Sequence, residues 1–107
     1  MFSKKAEQGF IKVLPGIQRK TLVYGEQTLM SEFILAKDAL LPVHQHGQEQ
    51  TGYLVSGRML LSIGSETFEV NPGDSWTIPG GVEHGAQPLL DSVALEVFAP
   101  IREDYLP

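Results

Sequence analysis

The 107-residue chain contains only three histidines, and two short segments hold them all. The first is His44-Gln45-His46-Gly47-Gln48-Glu49-Gln50, and the second is Pro79-Gly80-Gly81-Val82-Glu83-His84. On a strand, His44 and His46 share a face, because side chains alternate with period two. Their imidazoles then start about 7 Å apart at the backbone, close enough to converge on one metal ion. The Pro-Gly-Gly turn lets a third imidazole arrive from a neighbouring strand. There is no cysteine, so a metal must sit on imidazole and oxygen ligands. Three unrelated histidines are the plainer reading, and their confinement to two spaced motifs argues against it. The fourth ligand lies between two neighbours. Gln50 is in phase with His44 and His46 if one strand runs through, whereas a break at Gly47 opens the place to Glu49.

Composition removes several classes of function. Hydrophobic residues make up 42% and charged residues 20% of the chain, which is ordinary for a packed protein and too apolar for extensive disorder. The net charge is −5 with no run of Lys or Arg, so the clustered basic face that binds nucleic acid is missing. No stretch approaches the roughly 18 consecutive apolar residues of a transmembrane helix. Residues 1–9 lack the apolar centre of a signal peptide. The expectation is a cytoplasmic protein with no membrane or nucleic-acid partner. One domain over 1–107 is expected, with 1–9 as a loose arm and 100–107 as a tail that is polar apart from Ile101, Tyr105 and Leu106.

The elements that must position the histidines read as strands over 10–14, 17–24, 28–37, 51–56, 58–63, 66–70, 75–78, 82–86 and 92–98. Gly64-Ser65 is a two-residue hairpin turn. Asn71-Pro72-Gly73-Asp74 is a β-turn, with proline preset for its second position and glycine free to take positive φ. Residues 28–37 set Leu29, Phe33 and Leu35 on one face and Met30, Ile34 and Ala36 on the other. That is the pattern of a strand covered on both sides, in a sandwich or at a dimer interface. A buried helix is the alternative for this run, and the turns on each side favour a strand. Trp76, Tyr53 and Met59 read as core or pocket wall. Many short strands, Gly and Pro punctuation and no amphipathic helix together imply an all-β barrel or sandwich that closes or doubles its sheet to protect the edges.

With these motifs the chain resembles a small single-domain cupin. The family's first motif is Gly-x5-His-x-His-x(3 or 4)-Glu-x6-Gly. His44, His46 and Gly57 meet it, with Gln50 at the Glu position and Asp38 at the leading Gly. The second motif is Gly-x5-Pro-x-Gly-x2-His-x3-Asn. Gly73, Pro79, Gly81 and His84 meet it, with Pro88 in place of the Asn. The resemblance implies a jelly-roll β-barrel (a double-stranded β-helix), usually dimeric. Gln50 together with the C-terminal Glu96-x-Phe98-x3-Arg102-Glu103-Asp104-Tyr105 is similar to one branch, the pectin-degradation cupins, which linearise 4,5-unsaturated uronates released by pectate and alginate lyases. That similarity implies one divalent ion on His44, His46, His84 and Gln50, with Glu96, Phe98 and Arg102 completing the site. The branch typically has Asp where this chain has Glu96, one methylene longer.

Four neutral ligands would leave the ion its full double charge, whereas a Glu ligand would cancel half of it. The more positive centre is the stronger Lewis acid and suits an anionic, oxygen-rich substrate. Ni, Zn, Fe, Co and Mn all accept such a donor set. Glu96 and Phe98 share one face of the last strand, and in a barrel that face points inward. A carboxyl there is raised in pKa by desolvation or lowered by a metal, and either way can carry protons between substrate oxygen and carbon. A satisfied carboxylate is the alternative for Glu96, and a surface residue is the alternative for Arg102. Phe98 reads as core packing that also lines the pocket and touches substrate. As a site residue Arg102 offers a planar fork for a uronate carboxylate. The expected function is metal-dependent, isomerase-like opening of 4,5-unsaturated uronates to linear keto-deoxyuronates, by a homodimer acting on a small sugar acid. A redox dioxygenase and a sugar-binding module without chemistry are the competing functions. No helix-turn-helix or basic patch accompanies a regulator here.

Overall fold

The computed structural model describes all 107 residues, and its regular structure is strand apart from one 3-10 turn over Glu103–Tyr105. No helix is long and apolar enough to cross a membrane. The strands are β1 Ile11–Leu14, β2 Ile17–Tyr24, β3 Leu29–Leu35, β4 Leu41–His44, β5 Glu49–Ser56, β6 Met59–Ile63, β7 Glu66–Val70, β8 Ser75–Ile78, β9 His84–Pro88 and β10 Ser92–Ala99. They pair antiparallel into a six-stranded sheet, β1-β2-β3-β10-β5-β8, and a four-stranded sheet, β4-β9-β6-β7. The two sheets pack face to face as a jelly roll.

Period-two alternation decides what fills the interior. Along β10, Ser92, Ala94, Glu96 and Phe98 are buried while the residues between them are partly exposed. Ile17, Leu35, Leu54 and Ala94 from the larger sheet meet Met59, Leu61, Val70 and Ala86 from the smaller one in a continuous apolar core. Each such Leu, Ile or Phe, fully buried, stabilises the fold by about 1.5–3 kcal/mol before entropy is counted. Further along the same inward rows the residues change character, to Gln50 on β5 and to Glu96 and Phe98 on β10. One face of a sheet thus carries both core and site.

The strands follow the sequence pattern closely, with a few informative differences. Residues 28–37 form β3, whose neighbours are β2 and β10. Leu41–His44 forms a strand that the pattern does not mark, because Pro42 interrupts it. β4 is an edge of its sheet, where a residue without an N–H is tolerated. His46 consequently lies in the loop after β4, not on one strand with His44. Tyr53, read as core or wall, instead points outward at 48% exposure, since Gly52 and Leu54 take the inward phase of β5. Asp38, at the glycine position of the first motif, has φ +67°, a left-handed conformation that Asp adopts more readily than most residues. The Asn71–Asp74 turn closes as expected, with the Asp74 N–H on the Asn71 carbonyl (3.0 Å) and Gly73 at φ +93°.

Gly57 combines φ +92° with a site where an added Cβ would overlap the Ser92 side chain and the Asp91 carbonyl. Ser92 is tied there, accepting from the Arg58 N–H (3.1 Å) and donating to the Leu90 carbonyl (2.7 Å). Gly57→Ala is therefore expected to destabilise the protein by about 3 kcal/mol through combined strain and displacement of Ser92. Urea unfolding checks this; a midpoint equal to wild type would contradict it.

Candidate metal centre

His44 and His84 are direct cross-strand partners on β4 and β9, with ring centroids 4.3 Å apart. His46 reaches them from the loop, 5.8 Å from His44 and 4.9 Å from His84 between ring centroids. The loop is held by backbone. The Gly81 N–H donates to the His46 carbonyl (2.8 Å), and Gly80 lies so close to the Gly47 carbonyl that a Cβ at 80 would overlap it. Gly85 likewise leaves room for β4, where a Cβ would fall 2.9 Å from the Leu41 carbonyl oxygen. Glycine is used where the two histidine segments lie closest, so segments distant in the chain can share one site.

All three imidazoles turn Nδ1 to a backbone carbonyl. Nδ1 of His44 faces the Pro42 carbonyl (2.9 Å), Nδ1 of His46 the Gln48 carbonyl (3.1 Å) and Nδ1 of His84 the Val82 carbonyl (2.9 Å). A carbonyl only accepts, so Nδ1 carries the proton and Nε2 presents a lone pair, the arrangement of a metal-ligating histidine. The potential ligand atoms of the three lie within 4.8 Å of one another, so they could hold a metal ion. His84 Nε2 is buried with no hydrogen-bond partner. His46 Nε2 lies 2.9 Å from Gln50 Oε1, two acceptors facing each other, which a cation or proton between them would reconcile. Burial holds both His46 and His84 below the ordinary histidine pKa. The Arg102 charge adds to this at His46, and the neighbouring His44 and His46 and then Arg102 add to it at His84.

Gln50 and Glu96 project into the same cavity. The chain bends at Gly47, yet the alternation of β5 itself turns Gln50 inward and buries it, while Glu49 faces solvent. Gln50 and Phe98 are paired across β5 and β10, and Glu96 sits opposite Gly52 on the same pair of strands. Desolvation raises the Glu96 carboxyl to a pKa of about 8, against a weaker downward pull from the Gln50 amide and the Trp76 indole N–H. Its Oε2 is buried and unpartnered. In the metal-free protein this residue is a neutral acid at pH 7.

The C-terminal tail closes the mouth. Arg102 borders the cavity and is stacked on Tyr105, its guanidinium carbon 4.2 Å from the ring centroid and 5.2 Å from that of Phe98. Its Nε and Nη2 donate to Asp104 (3.1 and 2.8 Å), so one fork of the guanidinium is taken and the Nη1 edge is left. Arg19 lies over Tyr105 at 3.7 Å, giving the ring a guanidinium from each of two strands of chain, and the Thr21 hydroxyl donates to the Tyr105 carbonyl. Sequence reasoning gave no role to Tyr105 or Asp104 and missed Arg19. Asp104 and Tyr105 stand in the C-terminal pattern and Tyr105 is an apolar residue of a polar tail, but no local signal marks Arg19. The residues it singled out meet: His44, Gln50, His84, Glu96, Phe98 and Arg102 line one cavity, and His46 touches it through Gln50 and Phe98.

The sheet order, the inward histidines and the glycine clasps define a class of protein. The family model for the cupin domain matches residues 31–95, and the chain belongs to the cupin family. Among particular proteins, it is 29% identical to the pectin degradation protein KdgF of Dickeya dadantii over 93 residues, 85% of this chain and 84% of that one. The solved structure of KdgF from Halomonas sp. superposes with a TM-score of 0.93 at 31% identity, covering 99% of this chain and 100% of that one. An RmlC-like cupin from Shewanella frigidimarina matches with a TM-score of 0.92 at 25% identity, over 99% and 96% of the two chains.

Two measurements test this geometry. Gly80→Ala pushes the loop off Gly47, and is expected to weaken zinc or nickel binding by about tenfold or more while the protein stays folded. Calorimetric titration showing wild-type affinity would contradict the clasp. The second is pH dependence in the metal-free protein. Glu96 keeps its proton to about pH 8 when folded but ionises near its ordinary 4.5 when unfolded, so its contribution is whole below the latter and lost as pH rises through the former. His46 and His84 act oppositely. Their folded values lie below 6.5, so their contribution is present above that pH and lost as pH falls through the folded values. Urea midpoints of Glu96→Gln should keep the histidine-linked rise and lose the fall towards pH 8. A difference between the two proteins that does not change with pH would contradict this assignment.

Proposed function

We propose that this cupin is a metal-dependent enzyme of uronate catabolism that opens 4,5-unsaturated uronates from pectin or alginate breakdown to linear keto-deoxyuronates. The observation that carries the reading is the convergence of three histidines, an amide, a buried acid and an arginine on one cavity, in a chain similar to KdgF along nearly its whole length. His44, His46, His84 and Gln50 would hold a divalent ion, which would supply Lewis acidity towards a substrate oxygen.

The protein's own groups do the rest. The free Nη1 edge of Arg102 takes the uronate carboxylate, its plane fixed by Asp104, Tyr105 and Phe98. Phe98 packs against the sugar ring and keeps water away. Glu96 moves protons. The anomeric hydroxyl loses its proton as the bond from the anomeric carbon to the ring oxygen breaks, and the ring oxygen leaves as an enol. A proton then passes from the enol oxygen to the carbon at the far end of the double bond, leaving a ketone. Nothing is added or lost overall, so the reaction is an isomerisation. A homodimer belongs to the same reading, supported by Leu40 and Val43, each 60% exposed at and beside β4.

The test is the loss of absorbance of the conjugated double bond when zinc-, nickel- or manganese-loaded protein meets the unsaturated galacturonate monosaccharide. Turnover is expected. Glu96→Gln should lower kcat by about 100-fold or more at unchanged metal content, and Arg102→Ala should chiefly raise KM. No rate above background with any of these metals, or oxygen uptake in step with substrate loss, would sink the proposal.

A further inference from the structure

Trp76 is the one tryptophan of the chain, and its environment is not that of a simple core residue. Glu96 on β10 pairs with Gly52 on β5, and Gly52 pairs with Trp76 on β8, so the three form a row across the larger sheet. Cross-strand neighbours are about 5 Å apart, which sets Glu96 and Trp76 about 10 Å apart at the backbone. Only two long side chains reaching towards each other over the middle strand close that gap. A Cβ at Gly52 would overlap Nε1, Cε2 and Cζ2 of the Trp76 indole, so the ring lies directly across the glycine. The Trp76 N–H and the Gln50 amide both lie near enough to the Glu96 carboxyl to pull its pKa down against desolvation. Trp76 Nε1 and Glu96 Oε2 are both buried and neither has a hydrogen-bond partner, a donor and an acceptor that a small shift would pair. A buried indole N–H normally finds a partner, because leaving it unpaired costs about 1–3 kcal/mol. Trp76 also lines a separate cleft beside the free edges of β7 and β8, with Phe68, Glu69 and Asp74. The indole therefore stands between that cleft and the acid.

We propose that Trp76 is a positioning residue for Glu96, its indole N–H fixing the carboxyl through the gap that Gly52 leaves in the middle of the sheet. The inference rests on the reading of Glu96 as the proton-carrying group, and extends it to two residues that touch neither metal nor substrate. Gly52 serves it by having no side chain. Any larger residue would push the indole aside and release the acid.

The experiment has a kinetic arm and one that needs no substrate. With a single tryptophan, zinc-loaded protein labelled with nitrogen-15 has a single indole N–H resonance. That resonance is expected to exchange slowly with solvent and to shift in Glu96→Gln, but not in Glu66→Gln on exposed β7. In kinetics, Trp76→Phe keeps an aromatic plug without the N–H, and should lower kcat about tenfold with KM, zinc content and unfolding midpoint near wild type. Gly52→Ala should give the same split. An indole resonance indifferent to Glu96→Gln would overturn the proposal. So would wild-type kcat in Trp76→Phe, or a fall in kcat that merely tracks lost zinc or stability. If wild-type protein shows no ring opening, the function proposed above fails by itself, and the resonance arm still decides whether the indole holds the acid.

Discussion

The close approach of two backbones, the loop after β4 and the turn before β9, is the constraint on which the site depends. Gly80 against the Gly47 carbonyl, the Gly81 N–H on the His46 carbonyl and Gly85 against β4 form one continuous clasp. Without side chains at those positions the two segments come within hydrogen-bonding distance, and the imidazoles they carry come within a few ångströms. The carbonyls of Pro42, Gln48 and Val82, from these same segments, then set the tautomers. Position and protonation of the histidines thus have one cause.

The interior is divided along its length. The apolar half, from Ile17 and Leu54 to Met59 and Val70, supplies the burial that makes the fold stable. The other half is expensive to fold, since it buries imidazoles, an amide and a carboxyl with incomplete hydrogen bonding. The protein limits this cost by keeping Glu96 protonated and two histidines uncharged. Arg102 is the only permanently charged side chain on the cavity wall, and Asp104 balances it from outside. Burial lowers the effective dielectric in such a cavity, so its polar groups interact with an entering ion more strongly than they would in water. Stability and chemistry pull in opposite directions here, and the same strands β5 and β10 serve both.

The tail gives the mouth its shape by stacking more than by ion pairing. Tyr105 is held between the guanidinium groups of Arg19 and Arg102 and against the rings of Phe33 and Phe98. Cation–π contacts of this kind gain strength as they are desolvated, and Tyr105 lies on the cavity wall. The ends of the chain are coupled in this way, since Arg19 and Thr21 on β2 hold the turn that carries Arg102.

Strand alternation, turn chemistry and the spacing of the histidine motifs are local properties, and they were enough to read a two-layer β fold with one imidazole cluster. The shared phase of Glu96 and Phe98 also follows from alternation alone, because a strand in a sandwich has one buried face. The choice of Gln50 over Glu49, by contrast, needed the phase of β5 beyond the bend at Gly47. Other features depend on which strands become neighbours, and a linear pattern carries no such information. β4 ends at His44 and leaves His46 in the loop, and only the clasp with Gly80 and Gly81 brings it back to the others. The outward turn of Tyr53, the pairing of Arg102 with Asp104, the stacking of Arg19 on Tyr105 and the meeting of Trp76 with Glu96 over Gly52 were likewise decided in three dimensions. Each needs a register or a long-range contact between segments that the sequence presents far apart. Residue types and periods are set locally, whereas partners are set by packing.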